Sequence, residues 1–154
     1  MKLFDTSTDI VELIDRKFED CGLAVFGLDL KVMSTTKSKD VIKVSKASAT
    51  TEYLTKKEGM ITLVVYEEAF DRLPDDAKEK LVEMALSDIS YDSEKDRVMI
   101  DGSPYNKIFR FRKKYGDEDL LNVLELVAHI LTEIEEEAKA KKEAAKEAKK
   151  NKQQ

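Results

Sequence analysis

Four places in this 154-residue chain hold residue types able to do chemistry. Asp88, Asp92 and Asp96 recur at four-residue spacing, and a magnesium site built from carboxylates alone would need them to converge in one cleft. Within that run Asp92-Ser93-Glu94-Lys95-Asp96 imitates the opening of an EF-hand calcium loop, with acids at alternate positions. Such a loop then requires Gly sixth and a bidentate Glu twelfth, where Arg97 and Ser103 stand, so the segment reads as a charged turn. Lys107 to Tyr115, KIFRFRKKY, interleaves aromatic rings with Lys107, Arg110, Arg112, Lys113 and Lys114. Stacking of Phe109, Phe111 or Tyr115 on bases beside those cations would make a single-strand nucleic-acid platform, and the same basic patch suits an acidic protein surface or a second copy of the chain. At helical spacing, however, Tyr105, Ile108, Phe109 and Tyr115 fall on one side and Lys107, Arg110 and Lys114 on another, as in an amphipathic helix.

The third and fourth places are the one histidine and the one cysteine. A lone His129 excludes every site that needs two imidazoles, and its position between Leu126 and Ile130 marks a packing or boundary residue. A lone Cys21 excludes a disulfide scaffold and a cysteine-rich zinc module; beside Gly22 at a helix end it reads as core. Five glycines, none at P-loop or dinucleotide spacing, leave no phosphate-binding loop, and no cofactor is expected.

The elements that would position these groups follow from period and punctuation. Thr6-Ser7-Thr8-Asp9 offers caps for a first helix, whose apolar positions Ile10, Leu13, Ile14, Phe18 and Cys21 run to Gly22. Leu23 to Met33 alternates as a half-buried strand, Ser34 to Asp40 is its turn, and Val41 to Ala47 is a short β-branched strand suited to pair back on it as a hairpin. Ser48 to Gly59 is polar and ambiguous, whereas MITLVVY, Met60 to Tyr66, is apolar enough for the middle of a sheet. Leu73-Pro74-Asp75-Asp76 opens a second helix with a face of Ala77, Leu81, Val82, Ala85, Leu86 and Ile89. Val98 to Ile100 is an edge strand, Ser103-Pro104 opens the basic aromatic helix, and a last core helix begins near Asp117 with the stripe Leu120, Val123, Leu124, Val127, Ile130, Leu131 and Ile134. These readings predict an α+β fold: a small, mostly antiparallel sheet with an N-terminal helix and three C-terminal helices. A single domain over residues 1–132 precedes a solvated Ala/Glu/Lys helical tail over 133–154.

The order helix, strands, then VVYEEAFDRLPDDAKEKLVEMALSDISYD resembles the small zincin-type metallopeptidase domains encoded by bacteriophages. In that family an apolar strand and a loop lead into the helix bearing His-Glu-x-x-His, followed by an apolar, a small and an aromatic residue. Over Leu81 to Tyr91 the pattern places Met84-Ala85-Leu86-Ser87-Asp88 at the five motif positions, with Ile89, Ser90 and Tyr91 after them. The resemblance implies a zincin-like core. It implies no peptidase, because Met84, Ala85 and Asp88 stand where the two zinc-binding imidazoles and the general base belong. Ala85, Leu86 and Ile89 read equally as core positions of an amphipathic helix.

Charge completes the expectation. Lys and Arg number 27 against 32 Asp and Glu, a net charge of -5, and 38% charged residues exceeds the roughly 25% of an average globular protein. The tail carries six acids and seven lysines, which leaves the body at -6. Neither value suits a general nucleic-acid coat. With no signal-like or long apolar segment, the chain reads as a cytoplasmic protein away from membranes, in host cytoplasm or virion by the resemblance. The expected role is a non-catalytic metallopeptidase-like domain that binds a protein partner or joins an assembly. The alternative is a nucleic-acid-binding accessory protein working through residues 107–115.

Overall fold

The computed structural model describes residues 2–154. A two-residue strand β1 (Leu3–Phe4) leads into helix α1 (Thr8–Asp20), which buries Ile10, Ile14 and Phe18 one turn apart and stops at Gly22, whose φ of 78° only glycine adopts freely. The expected strand over Leu23 to Met33 divides. Leu23–Phe26 is a 3₁₀ turn closed by Gly27, and strand β2 is Leu30–Thr35. The alternation misleads because Phe26 uses its ring elsewhere, stacked on Tyr91 with centroids 4.5 Å apart. Strand β2 extends into the expected turn because Ser34 and Thr35, both buried, pair with β1, and Ser34 Oγ donates to Thr6 Oγ1 at 2.9 Å.

Strand β3 (Ile42–Lys46) does not close a hairpin on β2. Between them lies β4 (Ile61–Tyr66), parallel to β2 from Leu30↔Ile61 to Thr35↔Tyr66 and antiparallel to β3 from Ile42↔Val65 to Lys46↔Ile61, giving the order β1-β2-β4-β3. The most apolar strand takes the middle place because only there are both its edges paired, and Ile61, Leu63 and Val65 are fully buried. The polar stretch before it forms helix α2 (Ala49–Thr55), capped by Ser48, whose Oγ accepts from the Thr51 amide.

After a short α3 (Glu67–Asp71), helix α4 (Asp75–Leu86) buries Ala77, Val82, Met84, Ala85 and Leu86 and packs on α1 and on β3. It ends one turn earlier than its apolar period predicts. Ser87 Oγ donates to the Met84 carbonyl at 2.6 Å, and Ile89 turns instead into β5 (Ile89–Asp92), which pairs antiparallel with β6 (Arg97–Ile100). Helix α5 (Pro104–Tyr115) starts from a Ser103 cap, and Gly116 separates it from α6 (Asp117–Lys152), a single helix of 36 residues. No break falls at Glu133: Ile134 is still buried, Arg72 holds Glu137 through two bonds of 3.0 and 2.8 Å, and every residue from Glu135 onward is exposed. The class is α+β. Its main core joins α1, the four-stranded sheet, α4 and α6, and a smaller one (Met84, Phe111, Leu120, Val123) joins α4, α5 and α6. No described helix is long and apolar enough to cross a membrane.

Candidate functional site

The early end of α4 decides the fate of the motif positions. A zinc motif of this type needs its first and fifth residues one turn apart on a helix. Here Met84 and Ala85 lie on α4, buried in the core, while Asp88 lies beyond the C-terminal cap. Its carboxylate is 5% exposed and held from both sides: Lys107 Nζ reaches Oδ2 at 2.9 Å and Arg110 Nη2 reaches Oδ1 at 2.5 Å. Arg110 also donates to Ser87 Oγ at 3.3 Å and to Asp101 Oδ2 at 2.9 Å. A buried carboxylate with two cations and good geometry is a structural anchor, joining the end of α4 to the start of α5.

Asp101 is the outer member of this network. The Ser103 amide, Arg110 and the Asn106 side chain all donate to it and hold its carboxyl down to about 2. Asp92 and Asp96 do not join. Asp92 sits at the far end of β5, about 13 Å along a strand from Asp88, and its Oδ1 accepts from the amides of Glu94 and Lys95. The carboxylate-only magnesium reading therefore fails on geometry, and among the described residues no three His, Cys, Asp or Glu side chains gather as a metal site.

A second polar focus lies one turn back on α4. Glu83 accepts from Lys17 of α1 at 2.7 Å, from Lys114 of α5 at 2.9 Å, and from the Tyr115 hydroxyl. Burial pushes its carboxyl up, but the Lys17 and Lys114 bonds outweigh that and leave it below the usual range. Lys17 is raised in turn, chiefly by the same bond. A cleft of about 250 Å³ opens here between α1, α4 and α5, floored by Met84 and Phe111 and edged by Lys17, Cys21, Arg110 and Tyr115. Of the two carboxylates that line it, Asp20 and Glu83, Glu83 already accepts from three donors and is poorly placed to act as a general base.

The basic aromatic helix splits its apolar residues between two faces. Lys107, Arg110 and Lys114 reach acids of the body, and Arg112 pairs with Asp117 at the start of α6; only Lys113 has no carboxylate within 4.0 Å among the described residues. Phe111 and Tyr115 pack inward with ring centroids 4.9 Å apart. Tyr105, 83% exposed, Phe109, 65% exposed, and Ile108 face out. Of the expected partner-binding cations, Lys107 and Arg110 are half-buried against Asp88, while Arg112, Lys113 and Lys114 stay exposed beside Tyr105, Ile108 and Phe109. No sequence period separates these outcomes, because it depends on which acids α4 and the Asp101 turn bring opposite the lysines.

Two further expectations change. Cys21 is exposed, its thiol donating to the Phe18 carbonyl at 3.0 Å, because α1 ends in the open rim of the cleft. His129 is also exposed, on the outer side of α6, 3.1 Å from Glu133 one turn on. No protein-family model, curated protein or solved structure matches this chain.

Proposed function

We propose that the chain is a non-catalytic, metallopeptidase-like domain that works by binding another protein, as an accessory or assembly component of a phage or related element. The observation that carries the binding role is the outward apolar face of α5. Tyr105, Ile108 and Phe109 stand at i, i+3 and i+4, adjacent on one helix face and exposed, while Lys107 and Arg110 of that helix are engaged on its other side. Aromatic side chains edged by Arg112 and Lys113 have the composition of a protein-contact centre, which favours large rings and arginine.

The non-catalytic part rests on the place where hydrolysis would occur. Met84 and Ala85 supply neither a zinc ligand of the right softness nor a base, and Asp88 is neutralised by two cations. The metallopeptidase-like part is supported by element order, with β3 in contact with α4; the helix ending at Leu86 departs from the pattern.

The test has two arms. A photo-crosslinking residue at position 109, expressed in the native cell, should capture one protein that the same probe at Tyr53, still more exposed on α2, does not. Equal capture from both positions, or none, overturns the contact face. Purified protein mixed with zinc and casein should give neither stoichiometric binding nor cleavage, and both together overturn the non-catalytic reading.

A further inference from the structure

The far end of α6 presents a different surface. Read as a string, Glu133 to Gln154 mixes acids and lysines to a net +1, which cancels its field. The fold sorts them. Glu137 pairs with Arg72 and Ile134 beside it is buried, so the acid-rich turn is docked on the body. Beyond Ala138 the helix runs on for about 20 Å with every side chain exposed, carrying seven lysines and two glutamates. Divided there, the projecting segment is +5 and the rest of the chain, with 20 basic and 30 acidic residues, is -10.

The lysines are also ordered around the axis. At 3.6 residues per turn Lys139, Lys142, Lys146, Lys149 and Lys150 fall within about 100° of arc, and Glu143 and Glu147 lie together at its border. Where this stripe leaves the body it meets the β2–β3 loop across an open cleft of about 850 Å³, which brings Lys37 and Lys39 beside Lys139, Lys141 and Lys142. Of the carboxylates in that cleft, Glu68 and Glu137 are both held by Arg72, leaving only Glu135. None of these lysines lies within 4.0 Å of a carboxylate among the described residues.

We infer that the α6 extension and the β2–β3 loop form a binding surface for the phosphodiester backbone of a nucleic acid. Unpaired lysines in a stripe, with the hydroxyls of Thr36 and Ser38 beside them, are what phosphate oxygens take as partners. A protein partner is the weaker match, because residues 139–152 offer no apolar side chain larger than alanine, and protein interfaces are depleted in lysine. The acidic body does not forbid contact, since the Debye length of about 8 Å at physiological salt screens it along most of the extension. It confines contact to that end. This surface lies on different elements from the α5 face and stands or falls separately from the protein-contact role.

The test is fluorescence polarisation of full-length protein with labelled oligothymidylate of about 20 nucleotides, with the matching duplex, and with poly-glutamate. Binding to at least one oligonucleotide should weaken roughly a hundredfold between 50 and 200 mM salt, as about five phosphate contacts require. The triple variant Lys139→Gln, Lys142→Gln, Lys146→Gln should bind at least about tenfold more weakly and flatten the salt slope by about 2. Lys37→Gln with Lys39→Gln should weaken binding in the same sense, and Lys113→Gln on α5 should not. Since the substituted side chains are exposed, circular dichroism should be unchanged. No salt-sensitive binding to either oligonucleotide, or binding indifferent to these lysines, overturns the inference. So does equal affinity for poly-glutamate, which would point to an acidic protein, or salt-sensitive self-association without nucleic acid, which would point to the acidic body of a second copy.

Discussion

On α5 four of the five cations, Lys107, Arg110, Arg112 and Lys114, reach a carboxylate of the same chain; beyond Ala138 on α6 none of the seven lysines does among the described residues. As strings the two stretches look reversed. KIFRFRKKY has no acid and reads as the basic patch, whereas the tail is diluted by glutamate. What separates them is the company topology provides. The end of α4 and the turn at Asp101 place Glu83, Asp88 and Asp101 under α5, while among the described residues no carboxylate comes within 4.0 Å of the lysines on the projecting helix. A run of cations therefore says little about a protein's outer field until the acids opposite it are known.

The largest effect should come from breaking the inner network. Arg110→Leu leaves Asp88, 5% exposed, with Lys107 alone, and we expect a loss of about 3 kcal/mol in urea unfolding, the scale of a broken buried pair. Lys146→Leu removes the same charge from the extension and should change stability by less than about 0.5 kcal/mol. Similar losses in both would show that the Asp88 network is no more coupled to folding than the exposed lysines of α6.

Acid should act on the same network. Asp101 is held down to about 2 from 3.8, and Glu83 lies below its ordinary 4.5, so both contribute stability that is present above those ordinary values and lost as pH falls through the folded ones. Asp71 works in the opposite sense: partial desolvation of its carboxyl, although the residue is exposed, and nearby Glu67 raise it, so what it contributes is present in acid and lost as pH rises. The thermal midpoint should fall between about pH 4.5 and 2, and Asp101→Asn should flatten that fall. An unaltered profile in the variant would show that Asp101 is not coupled to folding.

This network explains why the fold was more legible than the site. Period and caps alone locate α1, β4, the start of α5 and the start of α6, because each buries a continuous apolar face: Ile10, Ile14 and Phe18 in α1, or Ile61, Leu63 and Val65 in β4. They mislead where tertiary partners override the pattern. Phe26 follows a strand's alternation yet stacks on Tyr91, and Ile89 continues α4's stripe yet pairs with Ile100 in a hairpin. The insertion of β4 between β2 and β3 is a long-range choice that no local signal records. The same holds for the candidate site: Asp88 is visible as a possible ligand, but Arg110, twenty-two residues later, is what closes it.

The outward face of α5 is exposed where its inner network is not. Phe109→Asp replaces an exposed ring and should leave stability within about 0.5 kcal/mol of the parent while abolishing capture of the α5 partner. Unfolding of that variant would show that the face is covered within the chain.

The smallest effect belongs to Arg112, which lies on the helix whose cations are otherwise engaged but differs from its neighbour Arg110 in setting. It and its partner Asp117 are both more than 60% exposed in their side chains, so water and ions reach the pair from most directions. An exposed pair of this kind contributes at most about 0.5 kcal/mol, and 1 M salt, with a Debye length of about 3 Å, should erase what there is. Arg112→Gln should therefore be nearly silent in urea unfolding and wholly silent at high salt, whereas the loss in Arg110→Leu should persist there because Asp88 is shielded by protein. If salt abolished both effects alike, the Asp88 carboxylate would have to be far more hydrated than its burial implies, and α5 and the α6 extension would differ in degree only.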